Sequence, residues 1–234
     1  MSPEHPITES QLAALRKYTA CDISDALLKL RVPGAGFVAD LQLYSQAGGG
    51  PDGPITIAPA FTVLFVPKGT TTFDSHPSNI PKDTHWADLT RPGTAVIIQQ
   101  PDGQKNAVCG GIMALRMKAR EVKSIIVAGR ARDLDELRST GLPVWARALS
   151  TVGAGAASTA WAVEVPLDID GTSVTPGDLV FSDPANGVVV IPKDKVDQVL
   201  ELLPRLTAAD ERVKEDVLTG VSVYDAFKAH RSNL

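Results

Sequence analysis

Ser124-Ile-Ile-Val-Ala-Gly-Arg-Ala-Arg-Asp133 is the stretch on which the reading of this chain turns. Ser124–Ala128 is a short apolar run with the make-up of a buried strand. Gly129-Arg130-Ala131-Arg132-Asp133 follows directly, and Leu134–Arg138 then has the composition of a short helix. Strand, glycine turn and helix in that order belong to an α/β fold, where ligand-binding groups collect at the carboxyl end of the strand. Arg132 offers a planar, permanently charged fork suited to a carboxylate or an enolate oxygen. Asp133 offers a hard oxygen ligand suited to Mg²⁺ or Mn²⁺. A plainer role competes: Asp133-Leu-Asp-Glu136 is an acceptable capping box, and from these residues alone capping is the favoured reading.

The segment just upstream has a related form. Thr94–Gln99 reads as a buried strand, Cys109-Gly-Gly111 as a turn, and Ile112–Arg120 as a strong helix. The turn Gly110-Gly111-Ile112-Met113 exposes backbone N–H groups at the positive end of a helix dipole, a natural seat for a carboxylate or phosphate. Alone that signal is weak, because glycine pairs before helices are common.

Toward the N-terminus, Thr8-Glu-Ser-Gln11 and Thr19-Ala-Cys-Asp22 have the form of helix starts, and Pro33-Gly34 ends the second helix. Gly48–Pro54 reads as a loop, Ile55–Ile57 and Phe61–Val66 as two strands, and residues 71–92 as a polar loop with one short helix. Val144–Arg147 is a further strand. From Val163 the pattern turns to β, with Val165–Ile169, Leu179–Ser182 and Val188–Ile191 separated by turns at Asp170-Gly171 and Pro176-Gly177. Lys193–Leu203 and Ala208–Leu218 read as two helices. Alternating strands and helices followed by hairpins predict an α/β sandwich with mixed sheets, in one domain over residues 1–234 with helical segments at 8–31 and 193–230.

Composition narrows the function. At 234 residues and 44% hydrophobic, the chain can bury a substantial core. Its net charge is −4 with no Lys/Arg run, which argues against a nucleic-acid partner. Two distant cysteines, Cys21 and Cys109, make neither a zinc knuckle nor a disulfide framework, so a reducing compartment is expected. The N-terminus lacks the basic and apolar regions of a signal peptide, and no apolar run is long enough to span a bilayer, so a cytoplasmic protein without a membrane partner is expected. Neither Gly-x-Gly-x-x-Gly nor Gly-x-x-x-x-Gly-Lys-Ser/Thr is present, which disfavours dinucleotide and nucleoside-triphosphate chemistry.

Taken in order, Asp22-Ile-Ser-Asp25-Ala-Leu, Gly110-Gly-Ile-Met-Ala114, Gly129-Arg-Ala-Arg132-Asp133, Gly141-Leu-Pro-Val144 and Pro176-Gly-Asp178…Asp183…Gly187-Val-Val-Val-Ile-Pro192 form a set. Over residues 8 to 225 it resembles the RraA-like family, which includes 4-hydroxy-4-methyl-2-oxoglutarate/4-carboxy-4-hydroxy-2-oxoadipate aldolases and oxaloacetate decarboxylases. The resemblance implies a compact α/β sandwich with a β/β/α core, assembled as homotrimers or homohexamers with active sites between subunits. It implies a metal-dependent (class II type) lyase acting on a small 2-keto acid, with Asp133 as ligand to Mg²⁺ or Mn²⁺. Arg132 would hold pyruvate, and the N–H groups of Gly111 to Met113 would meet its carboxylate. A non-enzymatic branch of the family binds and inhibits an endoribonuclease. Retention of both Arg132 and Asp133 favours the catalytic branch over that regulator, and over a phosphohistidine-type domain.

Two positions depart from the family pattern. Ala128 stands where an acid often precedes the glycine, and Gly111 where members often carry Asp, Glu or Asn. A further acid usually comes from a neighbour's C-terminal region, with Asp210 and Glu211 as candidates. His76 and His85, in a polar loop, are candidate proton donors if they line the site. Trp86, Trp145 and Trp161 are expected to pack, Arg130 to be solvated, and Cys109 to lack a base.

Overall fold

The structure is a computed structural model that describes residues 7–48, 50, 52–73 and 76–232. Helices α1 (Glu9–Leu15) and α2 (Ala20–Lys29) begin at the two expected capping boxes, with Thr8 and Thr19 as N-caps. There follow β1 (Gln42–Ser45), β2 (Thr56–Pro67), β3 (Ala95–Gln99), α3 (Gly111–Ala119), β4 (Ser124–Ala131), α4 (Leu134–Thr140) and β5 (Val144–Leu149). The C-terminal part holds β6 (Ser158–Val163), β7 (Leu167–Ile169), β8 (Thr172–Val174), β9 (Leu179–Asp183), β10 (Gly187–Ile191), α5 (Val196–Leu218) and α6 (Val223–His230). Among the described residues no helix is long and apolar enough to cross a membrane.

Strand β2 organises the sheet. Its first residues, Thr56–Pro59, pair antiparallel with β9, which in turn pairs with β10. From Ala60 onward it pairs parallel with β3 on one edge and, from Val63, antiparallel with β6 on the other. β3, β4 and β5 continue in parallel, and β1 closes the far edge antiparallel to β5. The result is a curled mixed sheet with β7–β8 as a separate hairpin. The two strands expected at 55–57 and 61–66 are therefore one. Pro59 lies where β2 passes from β9 to β3, so its missing N–H falls at the handover between ladders.

Alternate residues of the central strands enter different cores, which is why these strands read as unbroken apolar runs. Val96, Ile98, Ile125 and Val127 face Met117 of α3 and Leu137 of α4. Ile97 and Ile126 face the opposite side, with Trp145, Ile169, Val180 and Val188. On the outer face of β9–β10, Phe181 and Ile191 meet Leu27 of α2 and Val199 and Leu203 of α5. The layers thus run sheet, sheet, helix on one side, with α3 and α4 over the other.

The two C-terminal acids of the motif set are scaffold groups. Buried Asp178 accepts from the N–H groups of Thr175 (2.7 Å) and Lys193 (3.0 Å). Buried Asp183 accepts from Ala20 N–H at 2.9 Å and Asn186 Nδ2 at 2.8 Å, tying the start of α2 to the turn after β9.

Two expectations need correction. The helices read at 193–203 and 208–218 are one, α5, which runs through Pro204. That proline forfeits a backbone bond, but Val199, Leu203, Leu206, Ala209 and Val213 keep one buried face across it, and packing holds the helix together. Strands β1, β6 and β8 and helix α6 had no clear sequence signal. β6, Ser-Thr-Ala-Trp-Ala-Val, is built largely of small and mixed residues.

Gly36 joins α2 to β10 at φ +70°, where an added Cβ would stand 2.3 Å from the Val190 carbonyl oxygen and 2.7 Å from Leu27 Cδ1. Gly36→Ala is expected to lower unfolding stability by about 2 kcal/mol or more. Denaturant unfolding checks this, and a loss below about 0.5 kcal/mol, the range of an ordinary surface substitution, would contradict the packing described.

Candidate functional site

The carboxyl end of β4 is shaped by a bulge. Pairing with β5 slips between Val127 and Arg130, at Gly129. Buried Gln100 lies over this glycine: its Oε1 accepts from Arg130 N–H (2.8 Å) and its Nε2 donates to the Asn106 carbonyl (2.7 Å). A Cβ at Gly129 would come within 2.3 Å of that Oε1, so only glycine lets the amide lock the bulge. Beyond it, Val108 N–H donates to the Arg130 carbonyl and Arg132 N–H to the Cys109 carbonyl. The Cys109-Gly110 turn is thereby laid alongside Arg132 and Asp133.

Asp133 does not cap α4. Its backbone is left-handed (φ +60°, ψ +53°) and its side chain bonds to none of the helix's own N–H groups. Side-chain capping uses an extended residue, and the left-handed turn sends the carboxylate elsewhere. Oδ2 accepts instead from Gly111 N–H at 3.2 Å and lies 3.2 Å from Arg132 Nε. The favoured sequence reading of Asp133 is thus overturned. One N–H of the expected anion seat is also committed, and Ile112 and Met113 carry the remaining first-turn donors.

Both glycines of the turn are required by close approach. A Cβ on Gly110 would lie 2.6 Å from Asp133 Oδ2, and one on Gly111 would lie 1.9 Å from Glu136 Oε2. Glu136, read from sequence as the far half of a capping box, therefore occupies the space of the side chain that position 111 lacks. Sequence reasoning missed this residue, and its only signal was the Asp133-x-x-Glu136 spacing.

Arg132 and Asp133 open into a cavity of about 400 Å³ together with Gly110, Ile112 and Met113. Gly153 leaves room for the guanidinium, since a Cβ there would stand 3.1 Å from Nη1. The Arg132 and Asp133 side chains are 42% and 37% exposed, so both are open to solutes. Of the remaining candidates, His85 lines the cavity and His76 does not, its carbonyl accepting from Trp161 Nε1. Trp86 forms part of the wall, and Trp145 is buried with its Nε1 bonded to Ser182. Arg130 faces away, its Nη1 on the Leu149 carbonyl. Asp210 is held by Arg231 at 2.6 Å, and Glu211 pairs with Lys214 at the surface.

The donors available were tested against a hard divalent cation. Among the described residues no three His, Cys, Asp or Glu side chains converge. What the chain presents is the Asp133 carboxylate, with space kept open beside it by Gly110, and the carboxylate of Glu136 next to Gly111. One or two carboxylates with the other positions left to water and substrate is the usual way Mg²⁺ is bound, so these residues fit it.

The comparisons with known proteins agree with this architecture. The RraA-like family model, described as Aldolase/RraA, matches residues 20–190. The chain belongs to the RraA-like family. Within it, the chain is 27% identical to protein DlpA of Legionella pneumophila over 96% of its own length and 35% of DlpA's. It is 26% identical to a Halalkalibacterium halodurans protein named "Putative 4-hydroxy-4-methyl-2-oxoglutarate aldolase", over 58% of this chain and 64% of that one. The chain thus spans between about a third and two thirds of these relatives. Among solved structures, an uncharacterized Pseudomonas syringae protein matches with TM-score 0.73 and 24% identity, covering 95% of this chain and 98% of that one. Streptomyces coelicolor RraAS2, an unusual member of the RNase ES inhibitor RraA family, matches with TM-score 0.70 and 22% identity over 92% and 98%. These likenesses establish the mixed α/β fold with its curled sheet.

Cys109 also borders the cavity, but burial, with the Asp133 charge second, pushes its thiol up to about 12. Cys21 is exposed, and its pKa is raised more modestly by partial burial and by Asp183, Asp22 and Asp25. A raised pKa leaves less thiolate at pH 8, and the thiolate is the reactive form. Titration with an aromatic disulfide at pH 8 is expected to modify one thiol slowly in the folded protein, and the second only after denaturation. Rapid modification of Cys109 in the native state would contradict this picture.

Proposed function

We propose that this RraA-like chain is a divalent-cation-dependent lyase that cleaves a carbon–carbon bond of a 2-oxo acid through a pyruvate enolate. The observation that carries the reading is the Asp133 carboxylate, turned off its own helix and set beside Arg132 at the mouth of the cavity. A residue that served only to begin α4 would not be held this way. The name of the Halalkalibacterium relative adds support at the level of the aldolase class.

Asp133 would hold Mg²⁺ or Mn²⁺, and the bound ion supplies Lewis-acid polarisation of the keto group. Glu136, beside Gly111, provides the acid that family members often carry at position 111. Arg132 has Nη1 and Nη2 unbonded to protein among the described residues, and these take the substrate's C1 carboxylate and the charge that grows on the keto oxygen. The N–H groups of Ile112 and Met113 lie at the positive end of α3 and add to the hold on that carboxylate. As the C3–C4 bond breaks, its electron pair becomes the C2–C3 double bond of the enolate. In the aldol case the C4 hydroxyl proton leaves to water and an aldehyde or ketone departs. In the decarboxylation case CO₂ departs. In both, C3 takes up a proton from water to give pyruvate. No lysine lines the cavity, so this route needs no Schiff base.

The reading includes assembly. Exposed apolar side chains stand on α3 (Ile112, 69% exposed) and along the end of α5 and α6 (Leu218, 86%; Tyr224, 74%), as surfaces that meet in a homotrimer or homohexamer do. Of the two candidate neighbour acids, Glu211 is the freer, because Asp210 is tied to Arg231.

Pyruvate release from oxaloacetate is expected to stop with chelator and return with Mg²⁺ or Mn²⁺, and full activity in metal-stripped protein would sink the proposal. Arg132→Lys keeps the charge and loses the fork. It should cost turnover a factor of about 10² that extra metal does not restore. Light scattering should give a mass of three or six chains, and a fully active monomer would remove the intersubunit part of the reading.

A further inference from the structure

We propose that the cavity selects a 2-oxo acid with a single carboxylate and an uncharged, apolar far end, and that His85 donates a hydrogen bond to an oxygen at C4 of that substrate. This rests on the lyase reading for the pyruvate half and names the other half.

Charge is the first ground. Among the residues lining the cavity Arg132 is the one Arg or Lys. The basic side chains of the surrounding elements are engaged elsewhere: Arg116 with Asp88, Arg120 with the Thr90 carbonyl, Arg130 with the Leu149 carbonyl, and Lys68 with the Gly155 carbonyl. One guanidinium satisfies one carboxylate.

The opposite wall is apolar. Strand order places β2 two strands and β6 three strands from β4, which at roughly 4.8 Å per strand is about 10 to 14 Å from Arg132. There Phe65 of β2 meets Trp86 edge to face, with centroids 5.9 Å apart, and Ile80 and Ala160 extend the surface. A second carboxylate against this wall would lose hydration and find no counter-charge, a cost of several kcal/mol. An alkyl or aryl group would gain from the same contact.

His85 supplies the polar group on this side. Its Nδ1 accepts from Ala87 N–H at 3.2 Å, which puts the proton of the neutral ring on Nε2 and makes that nitrogen a donor. Partial burial lowers its pKa and outweighs the opposing effect of Asp88, so the ring is neutral at pH 7 and adds no second cation. A neutral donor beside an aromatic wall matches a hydroxyl or carbonyl oxygen attached to an apolar group.

Calorimetry of the magnesium-loaded protein with 2-oxo-4-phenylbutanoate and with 2-oxoglutarate reads the preference without turnover. The phenyl monoacid is expected to bind at least about tenfold tighter, or about 1.4 kcal/mol. Equal binding, tighter binding of the diacid, or no binding of either would overturn the proposal. Pyruvate release from 4-hydroxy-2-oxo-4-phenylbutanoate is expected to exceed that from 4-hydroxy-4-methyl-2-oxoglutarate by a similar factor in kcat/KM. If neither released pyruvate while the phenyl monoacid still bound tighter, the lyase reading would fall and the choice of ligand would stand. His85→Asn keeps an acceptor for Ala87 N–H and loses the Nε2 donor. It should lower cleavage of the hydroxy substrate by about 10- to 100-fold and leave binding of 2-oxo-4-phenylbutanoate, which has no C4 oxygen, within about twofold. Equal losses in both measurements, or in neither, would remove His85 from the role.

Discussion

The Asp133 carboxylate accepts from the first N–H of α3 while its own backbone begins α4, so one residue links the end of β4 to two helices. The link constrains its surroundings. The left-handed turn at Asp133 aims the carboxylate, and Gly110 keeps a Cβ out of its path. Gln100 locks the bulge at Gly129 that brings Arg132 to the same level. Aspartate tolerates the left-handed region better than most residues, and such conformations persist only where the surroundings over-determine them.

Much of the scaffold was legible in the sequence because local chemistry decides it. The boxes at Thr8 and Thr19 needed nothing beyond three residues to form, and the apolar runs of β3 and β4 announced strands buried on both faces. Features set by distant partners were not legible. Pro59 looks like a strand break until β2 is seen to change partners there, and Pro204 like a helix end until the apolar face is followed past it. Asp133-Leu-Asp-Glu136 has the spacing of a capping box, and only the backbone at Asp133 separates that role from the one observed. Arg132, Asp133 and the Gly110–Met113 turn were found by their neighbourhood in sequence. His85 and the aromatic wall reach the same cavity from β2, β6 and the loop before β3, with no local pattern to announce them.

Gly111 illustrates how one departure rearranges its neighbours. The missing side chain opens a space that Glu136 fills from α4, so a carboxylate stands at the start of α3 although the residue there has none. Function and packing are joined at this point, since restoring a side chain at position 111 would displace Glu136 before it added anything to the site.

The central claim is that Asp133 holds a divalent cation and does not serve as a helix cap. Mn²⁺ titration followed by electron paramagnetic resonance, on wild type and on Asp133→Asn, tests it without reference to any substrate. Asparagine keeps the size, the tolerance for a left-handed backbone and an acceptor for Gly111 N–H, so the melting temperature should hold while Mn²⁺ affinity falls by at least about tenfold. Unchanged Mn²⁺ affinity in a folded Asp133→Asn protein would contradict the account.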